Sequence, residues 1–505
     1  MKRTLDIIYT SDTHSHVFPV DYANGVPENS GILNIAAQVE KNGNTLILDG
    51  GDTLQGTPLS QFYLKHAKDY PYHPMAEAFN TLGCDYYTLG NHDFNFGYDA
   101  LKSYLEAMNG TCLCANAIDL QGELKIEKRA IHVLDNGLRI GITGVVTDYV
   151  NIWEQPQNLI NFSITDPFKA AKAAYESMKN YCDICICIYH GGFEEDLETG
   201  RLLSGSTENI GCRIARELDF DILLTGHQHM AVEGVDLYGT YSVQPPANAG
   251  HFIQIHAEEE NGAVVYSSSL EKTLDHHETG TYEKLLPLEN DTQNWLDQIV
   301  GRLAEEIEPE EKLSAAIHGS KVAAIFNQVQ LEETGADFSC TSLGNVPVGL
   351  KTEVTMRNIC GAYLFANTLV VMEVDQQVLK ETLERCAAYF TLVNGEPQIS
   401  DEFLKPKIEH YNYDFFAGLD YEFDLSKPVG SRVVKMNKLD GTPLGDQKYK
   451  LVTSNYRATG TGGYEALGES PVLWRGSTEM PELVAEYIKN NSPLPHIHNS
   501  KFSVK

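Results

Sequence analysis

The chain has 505 residues, more than one hydrophobic core normally serves, so two or three domains are expected. It carries 38 Lys and Arg against 70 Asp and Glu, a formal net charge of −32, which argues against binding to nucleic-acid polymers or anionic membranes. Small anionic substrates stay open if a site brings its own cations, and a hydrophobic fraction of 42% with 21% charged residues is that of a globular protein rather than a disordered one.

The opening MKRTLDIIYTSDTHSH has a short apolar stretch broken by Asp6, without the longer apolar region and cleavage site of a signal peptide. No apolar run approaches the roughly 20 residues of a membrane span. Residues 1–285 then alternate strand-like and helix-like segments. Strands are expected over Leu5–Thr10, Thr45–Leu48, Asp85–Leu89, Arg139–Val146, Asp183–Tyr189, Asp221–Thr225 and Phe252–His256, with helices such as Ala170–Lys179 and Asn209–Leu218 between them. That alternation predicts a layered α/β fold. The ten cysteines follow no repeated spacing. Cys112/Cys114 and Cys182/Cys185/Cys187 sit in strand-like runs, where thiols act as small buried hydrophobes, metal thiolates being the lesser alternative. Reduced thiols and the absence of an export signal lead to the expectation of a cytoplasmic protein.

Over residues 286–312 the pattern changes. Trp295, Leu296, Ile299, Val300, Leu303 and Ile307 fall on one helical face with acids opposite, which predicts a linker helix. Residues 313–505 read as α+β. A strand is expected over Thr368–Val374, a helix over Val378–Tyr389, turns over 392–430, and a last helix over Pro481–Lys489.

Five short motifs follow five of the predicted strands: Asp12-Thr13-His14, Gly51-Asp52, Gly90-Asn91-His92-Asp93, His190-Gly191-Gly192 and Gly226-His227-Gln228-His229. Ligands bind at the carboxyl ends of strands in open α/β sheets. Carboxylates, imidazoles and an Asn carbonyl are the donors of a dinuclear centre of Mn, Zn, Fe, Co or Mg, in which a shared carboxylate bridges two divalent ions for in-line phosphoryl displacement. Singly, each motif is weak; a lone His at a strand end is most often a satisfied polar residue. Five in order make coincidence improbable.

The order DxH, GD, GNH(D/E), H, GHxH resembles the calcineurin-like metallophosphoesterases. That resemblance implies an αββα-type layered domain over residues 1–285, one metal on Asp12, His14, Asp52 and His229, and a second on Asp52, Asn91, His190 and His227. It also implies a water between the metals as nucleophile and His92 as the group that stabilises the transition state or protonates the leaving oxygen, so that His92 and its neighbour Asp93 are the candidate catalytic residues. Further on, NTLVVMEV, SKPVGSRVVKM and SNYRATGTGGY resemble the C-terminal domain of the 5'-nucleotidase family. This implies a nucleotide-binding domain over 313–505 that clamps a base between two aromatic rings, and so a small-molecule nucleotide as partner. Tyr456 matches one ring; Tyr413 is the first choice for the other and Tyr411 the second.

Two departures narrow the resemblance. The Asp that usually orients the catalytic histidine is Asn95, a substrate-side candidate whose amide can orient imidazole without neutralising its charge. The loop that supplies a phosphate arginine is replaced by Ser342–Val346, with Arg357 close by in sequence. Both departures, together with NHDFNFG, YNYD and NYRA, are similar to the 2',3'-cyclic-nucleotide 2'-phosphodiesterase/3'-nucleotidases. A 5'-nucleotidase or nucleotide-sugar hydrolase is the alternative. From other classes come a non-catalytic metal-dependent nucleotide-binding protein and a protein phosphatase. The latter would have no use for an aromatic C-terminal domain.

Overall fold

The run ICICIYH has no polar face to offer to water, and as the strand Ile184–His190 it is buried along its whole length. In the computed structural model, which describes residues 2–203, 206–365, 367–405 and 407–505, this strand lies inside a six-stranded sheet. The order is Val232–Leu237, Thr240–Gln244, Ile222–Thr225, Ile184–His190, Arg139–Val146 and Arg129–Val133. It runs parallel to both neighbours, with Ile184 beside Ile140 and Ile186 beside Ile222. A seven-stranded sheet has the order Ala263–Lys272, His251–Glu260, Arg3–Thr10, Thr45–Asp49, Tyr86–Tyr87, Thr111–Leu113 and Ile126–Glu127.

Strand periodicity then builds the layers. Leu5, Ile7, Tyr9, Leu46 and Leu48 of one sheet form a single buried cluster with Ile140, Ile142, Ile186, Ile188 and Leu224 of the other, so the sheets pack face to face. The alternate residues Cys185, Cys187 and Tyr189 face the other way and pack with Phe168, Ala171, Tyr175 and Met178 of the helix Pro167–Met178. Parallel strands need crossover connections. Between Thr45–Asp49 and Tyr86–Tyr87 the crossover includes the helix Pro74–Leu82, which buries Met75, Ala76, Ala78, Phe79 and Leu82. The outcome is the layered α/β architecture expected for this half.

The chain divides into two compact units, Met1–Gln293 and Asn294–Lys505, with the helix Thr279–Leu296 carrying the boundary. A helix does stand between the two units, as expected, but its bounds are not 286–312. The helix starts earlier and stops at Leu296, and Ile299–Arg302 is a strand paired antiparallel with Glu353–Thr355. Gly301 favours extended chain over helix, and a Cβ there would lie 2.9 Å from the Ile488 carbonyl oxygen. Leu303 and Ile307 are buried in the second unit's own core rather than on a helical stripe.

In the second unit a five-stranded sheet has the order Asp414–Ala417, Phe338–Ser342, Tyr449–Ser454, Thr368–Val374 and Val472–Glu479. The helix Gln376–Ala387 is capped by Asp375, whose carboxylate accepts from the Gln377 and Val378 amides. The stretch read as turns, 392–430, contains the strands Asp414–Ala417 and Leu419–Phe423. They are separated by Gly418, whose φ of 87° lies in the left-handed region. Among the described residues no helix is long and apolar enough to cross a membrane.

Candidate metal centre

The strands Arg3–Thr10, Thr45–Asp49 and Tyr86–Tyr87 are mutually parallel, as are Ile184–His190 and Ile222–Thr225, so within each sheet the carboxyl ends emerge on one edge. The loops that leave those ends are strained. Of eleven non-glycine residues with positive φ among those described, five are predicted ligands: Asp12 (52°), His14 (47°), Asp52 (58°), His227 (70°) and His229 (58°). Left-handed backbone costs an ordinary residue about 1–2 kcal/mol, so the clustering marks positions where geometry is imposed by the surroundings. The glycines serve close approach: a Cβ on Gly90 would sit 2.1 Å from Asp52 Oδ1.

Backbone amides hold the carboxylates. Asp12 accepts from the His227 amide at 3.0 Å to each oxygen, and from Ser11 Oγ at 2.5 Å. Asp52 Oδ1 accepts from the His92 amide at 2.7 Å. Two groups of potential ligands result, Asp12, His14 and His229 in one, Asp52, His190 and His227 in the other, the ligand atoms of each lying within 4.8 Å of one another. The Asn91 side-chain oxygen is 3.2 Å from His190 Nε2.

The tautomers test whether cations fit. His14 Nδ1 lies 2.9 Å from the Gln55 carbonyl, and His190 Nδ1 2.7 Å from the Gly50 carbonyl. A carbonyl only accepts, so both Nδ1 atoms carry hydrogen, and each Nε2 has a lone pair whenever its ring is neutral. His14 Nε2 then faces His229 Nε2 at 3.1 Å, and His190 Nε2 faces Asp52 Oδ2 at 3.2 Å. Lone pairs that converge in this way call for a positive charge between them. Second-shell carbonyls that fix the far nitrogen are the usual companions of metal-bound imidazole. The electrostatics carry the same demand for positive charge, which a proton on His190 Nε2 also answers. Burial opposes charge on His190, but Asp52 and Asp12 outweigh it and push its pKa up to about 10. Burial, reinforced by His229, holds His14 down to about 3 and keeps it neutral. Asp12 and Asp52 are buried, yet His190 and the neighbouring imidazoles hold both carboxyls well below the usual range. The residues present therefore fit two cation sites.

His92 stands beside this pair of groups, its ring centroid 5.5 Å from that of His14. Its Nδ1 is 2.7 Å from Asn95 Oδ1, and Asn95 Nδ2 is 2.6 Å from Glu154 Oε2. Asn95 is thus committed to protein on both sides, which corrects its expected place on the substrate side. Asp93, expected among the catalytic residues, is corrected too. It is 1% exposed, and its carboxylate accepts from the amides of Asp52, Thr53, Leu54 and Gly90 at 2.8–3.0 Å, which anchors the Asp52 loop. Burial and the Asp52 charge raise its pKa. Sequence reasoning missed three neighbours: Glu154, Trp153, which stacks on His227 at 5.3 Å, and Glu208, whose Oε1 is 3.1 Å from His227 Nε2. None follows a strand directly, so the pattern that exposed the ligands could not find them.

In the C-terminal unit the aromatic candidates divide. Tyr413 is 3% exposed, its hydroxyl donates to the Ala316 carbonyl at 3.0 Å, and its ring packs with Tyr389, Phe390 and Phe415. The first choice for the base clamp is therefore corrected: its faces belong to the core. Tyr411 and Tyr456 are half-buried. Both flank a buried ion pair in which Arg457 Nε and Nη2 reach the two oxygens of Asp414 at 2.9 and 3.0 Å, and Nη2 also donates to the Tyr411 carbonyl at 2.8 Å. Arg357 pairs with Asp297, its Nη2 at 2.7 Å.

The family profile described as calcineurin-like phosphoesterase matches residues 5–231, and the profile of the 5'-nucleotidase C-terminal domain matches residues 299–469. The 2',3'-cyclic-nucleotide 2'-phosphodiesterase/3'-nucleotidase of Haemophilus influenzae is 24% identical over 97% of this chain and 85% of its own length. The trifunctional nucleotide phosphoesterase protein YfkN of Bacillus subtilis is 23% identical over 96% of this chain, which spans only 38% of that longer protein. A candidate 5'-nucleotidase from Staphylococcus aureus, solved in complex with alpha-ketoglutarate, superposes with a TM-score of 0.91 at 28% identity, covering 100% of both chains. The 5'-nucleotidase precursor of Thermus thermophilus shares the fold, with a TM-score of 0.69 at 21% identity over 99% of each chain.

Proposed function

The chain belongs to the 5'-nucleotidase family, a calcineurin-like metallophosphoesterase half joined to a 5'-nucleotidase C-terminal half, and from that premise we propose that it is a 2',3'-cyclic-nucleotide 2'-phosphodiesterase with 3'-nucleotidase activity. As a member it is a nucleotide phosphoesterase. The finer assignment is supported by Asn95 at the position where the 5'-nucleotidases carry Asp, and by relatives named for that activity along nearly the whole chain.

The observation that carries the reading is the convergence of Asp12, His14 and His229 beside Asp52, His190 and His227. Asp12, His14 and His229 would hold one divalent cation; Asp52, His190, His227 and Asn91 would hold the other, with the Asp52 carboxylate shared as the family pattern implies. When bound, the cations supply Lewis-acid polarisation of a phosphoryl oxygen and lower the pKa of water for attack. The chain's own part is positional. The His227 amide fixes the Asp12 carboxylate, the Asp93 carboxylate fixes the Asp52 loop, and Asn95 fixes the His92 ring so that Nε2 is free for the leaving oxygen. In the C-terminal unit, Tyr411 and Tyr456 replace the expected pair Tyr413 and Tyr456 as the rings that take the base.

Phosphate release from 2',3'-cyclic AMP, 3'-AMP and 5'-AMP, measured with Mn, Co, Zn and Mg, tests the proposal. The first two substrates should be preferred. A tenfold preference for 5'-AMP in kcat/KM would make the protein a 5'-nucleotidase, and the absence of both phosphate release and opening of the cyclic ester to 3'-AMP would make it a binding protein.

A further inference from the structure

We propose that Glu154 is a positioning residue for phosphoester cleavage, acting on His92 through the side chain of Asn95. The inference rests on the phosphoesterase reading above. A primary amide presents an oxygen and an NH2 of nearly equal size, so Asn95 alone could offer His92 either an acceptor or a donor. Its far end removes that ambiguity. Glu154 Oε2 lies 2.6 Å from Asn95 Nδ2, and a carboxylate accepts from N–H, so the nitrogen belongs on Glu154 and the oxygen on His92.

Glu154 is itself held. It is 8% exposed, and its Oε1 accepts from the Gln155 amide at 2.6 Å and from Asn158 Nδ2 at 2.9 Å. The same Asn158 NH2 donates to the Asn95 backbone carbonyl at 2.7 Å, so the two ends of the relay are tied to each other. Two consequences follow for His92. Nδ1 is the nitrogen that carries hydrogen towards Asn95, 2.7 Å away, and Nε2 is the atom left for the substrate: the ring gives its Nε2 proton to the leaving oxygen and is left as the neutral Nδ1–H tautomer. The charge-assisted bond from Asn95 to Glu154 also polarises the amide and makes its oxygen a better acceptor. A carboxylate that cannot touch the imidazole thereby sets its orientation and tautomer through one intervening amide.

The test uses the full-length, metal-loaded protein, variants Glu154→Ala, Glu154→Gln, Asn95→Ala and the double Ala variant, and aryl phosphate esters whose leaving groups run from p-nitrophenol to phenol. That series does not depend on nucleotide recognition. If Glu154 positions His92, Glu154→Ala keeps its metal content and its unfolding temperature. Its loss in kcat grows as the leaving group worsens, reaching about 10- to 100-fold for phenyl and nucleoside esters, part of the roughly 10²–10⁴-fold that a positioned proton donor contributes. KM changes little. Glu154→Gln, which still offers Asn95 an oxygen, recovers most of the loss, and the double variant is no slower than Asn95→Ala. In protein labelled with 15N-histidine, the His92 signal, identified by its absence in His92→Gln, shifts from the Nδ1–H tautomer in Glu154→Ala. Equal losses on all leaving groups, multiplying losses in the double variant, or an unchanged tautomer would each overturn the inference. Failure of the functional reading is visible separately, as a wild type that cleaves aryl esters and no nucleotide.

Discussion

The metal centre of the first unit and the aromatic region of the second solve different positioning problems. At the metal centre, single atoms must converge within a few ångströms, and the protein fixes them individually: five ligand residues sit in left-handed backbone, and Asp12, Asp52 and Asp93 accept from backbone amides. In the second unit a ring has only to present a face. Tyr411 and Tyr456 adjoin one device, the buried Arg457–Asp414 pair, whose guanidinium reaches the Tyr411 carbonyl and lies 5.8 Å from the centre of the Tyr456 ring. On the proposed function, losing a ligand would therefore remove turnover outright, whereas losing a ring would remove an increment of affinity.

The largest expected effect follows from that difference. Asp52→Asn should lose bound metal and nearly all turnover, beyond the roughly 10- to 100-fold that loss of an outer-shell partner costs. Elemental analysis alongside phosphate release checks it, and near-wild-type rate at low metal would break the dinuclear assignment. The second experiment sharpens the division among tyrosines. Tyr413→Ala should destabilise the fold by about 3–5 kcal/mol, as removal of a buried aromatic does, read as a lowered unfolding temperature with KM for nucleotides unaltered in the protein that folds. Tyr411→Ala with Tyr456→Ala should instead raise KM for nucleotides about 10- to 100-fold, equivalent to about 1.4–2.7 kcal/mol, while bis-p-nitrophenyl phosphate, which needs only the metal centre, is barely affected. Equal losses on both substrates would show these rings to be structural.

The smallest effect is one of pH, and it belongs to the first unit alone. Burial holds His73 of that unit down to about 3, below the unfolded value near 6.5. The unfolded state therefore binds more protons, and the stability that His73 contributes is complete above pH 6.5 and falls as pH drops towards 3. At about 1.4 kcal/mol per pH unit, acidification from pH 6.5 to 5 should cost about 2 kcal/mol. Denaturant titrations at the two pH values, on wild type and His73→Leu, isolate this contribution. An identical pH dependence in the variant would remove His73 as its source.

Legibility followed the same division. The strand Arg139–Val146 was readable to the residue, because an unbroken apolar run has one stable setting between layers. The candidate ligands were readable because each lies at the end of a strand or within four residues of it. The apolar residues beyond Leu296 were misleading. Leu303 and Ile307 share the spacing of a helical stripe with chain that Gly301 and its strand partner hold extended. Tyr413 was misleading for another reason: HYNYD offers two tyrosines, and nothing local says which one faces inward.

By itself the sequence determined the layered first unit and the order of its chemical motifs, since these rest on periodicity and on residues adjacent in the chain, while the nucleotidase-type second half was implied by the resemblance of its motifs. Only the tertiary structure decided which groups answer one another across long separations. Asn95 meets Glu154, Asp93 caps the Asp52 loop, and Tyr413 rather than Tyr411 is drawn into the core. The physical reason is that a hydrogen-bond partner or a buried face is settled by packing between elements distant in the chain, and local periodicity carries no record of which distant element arrives.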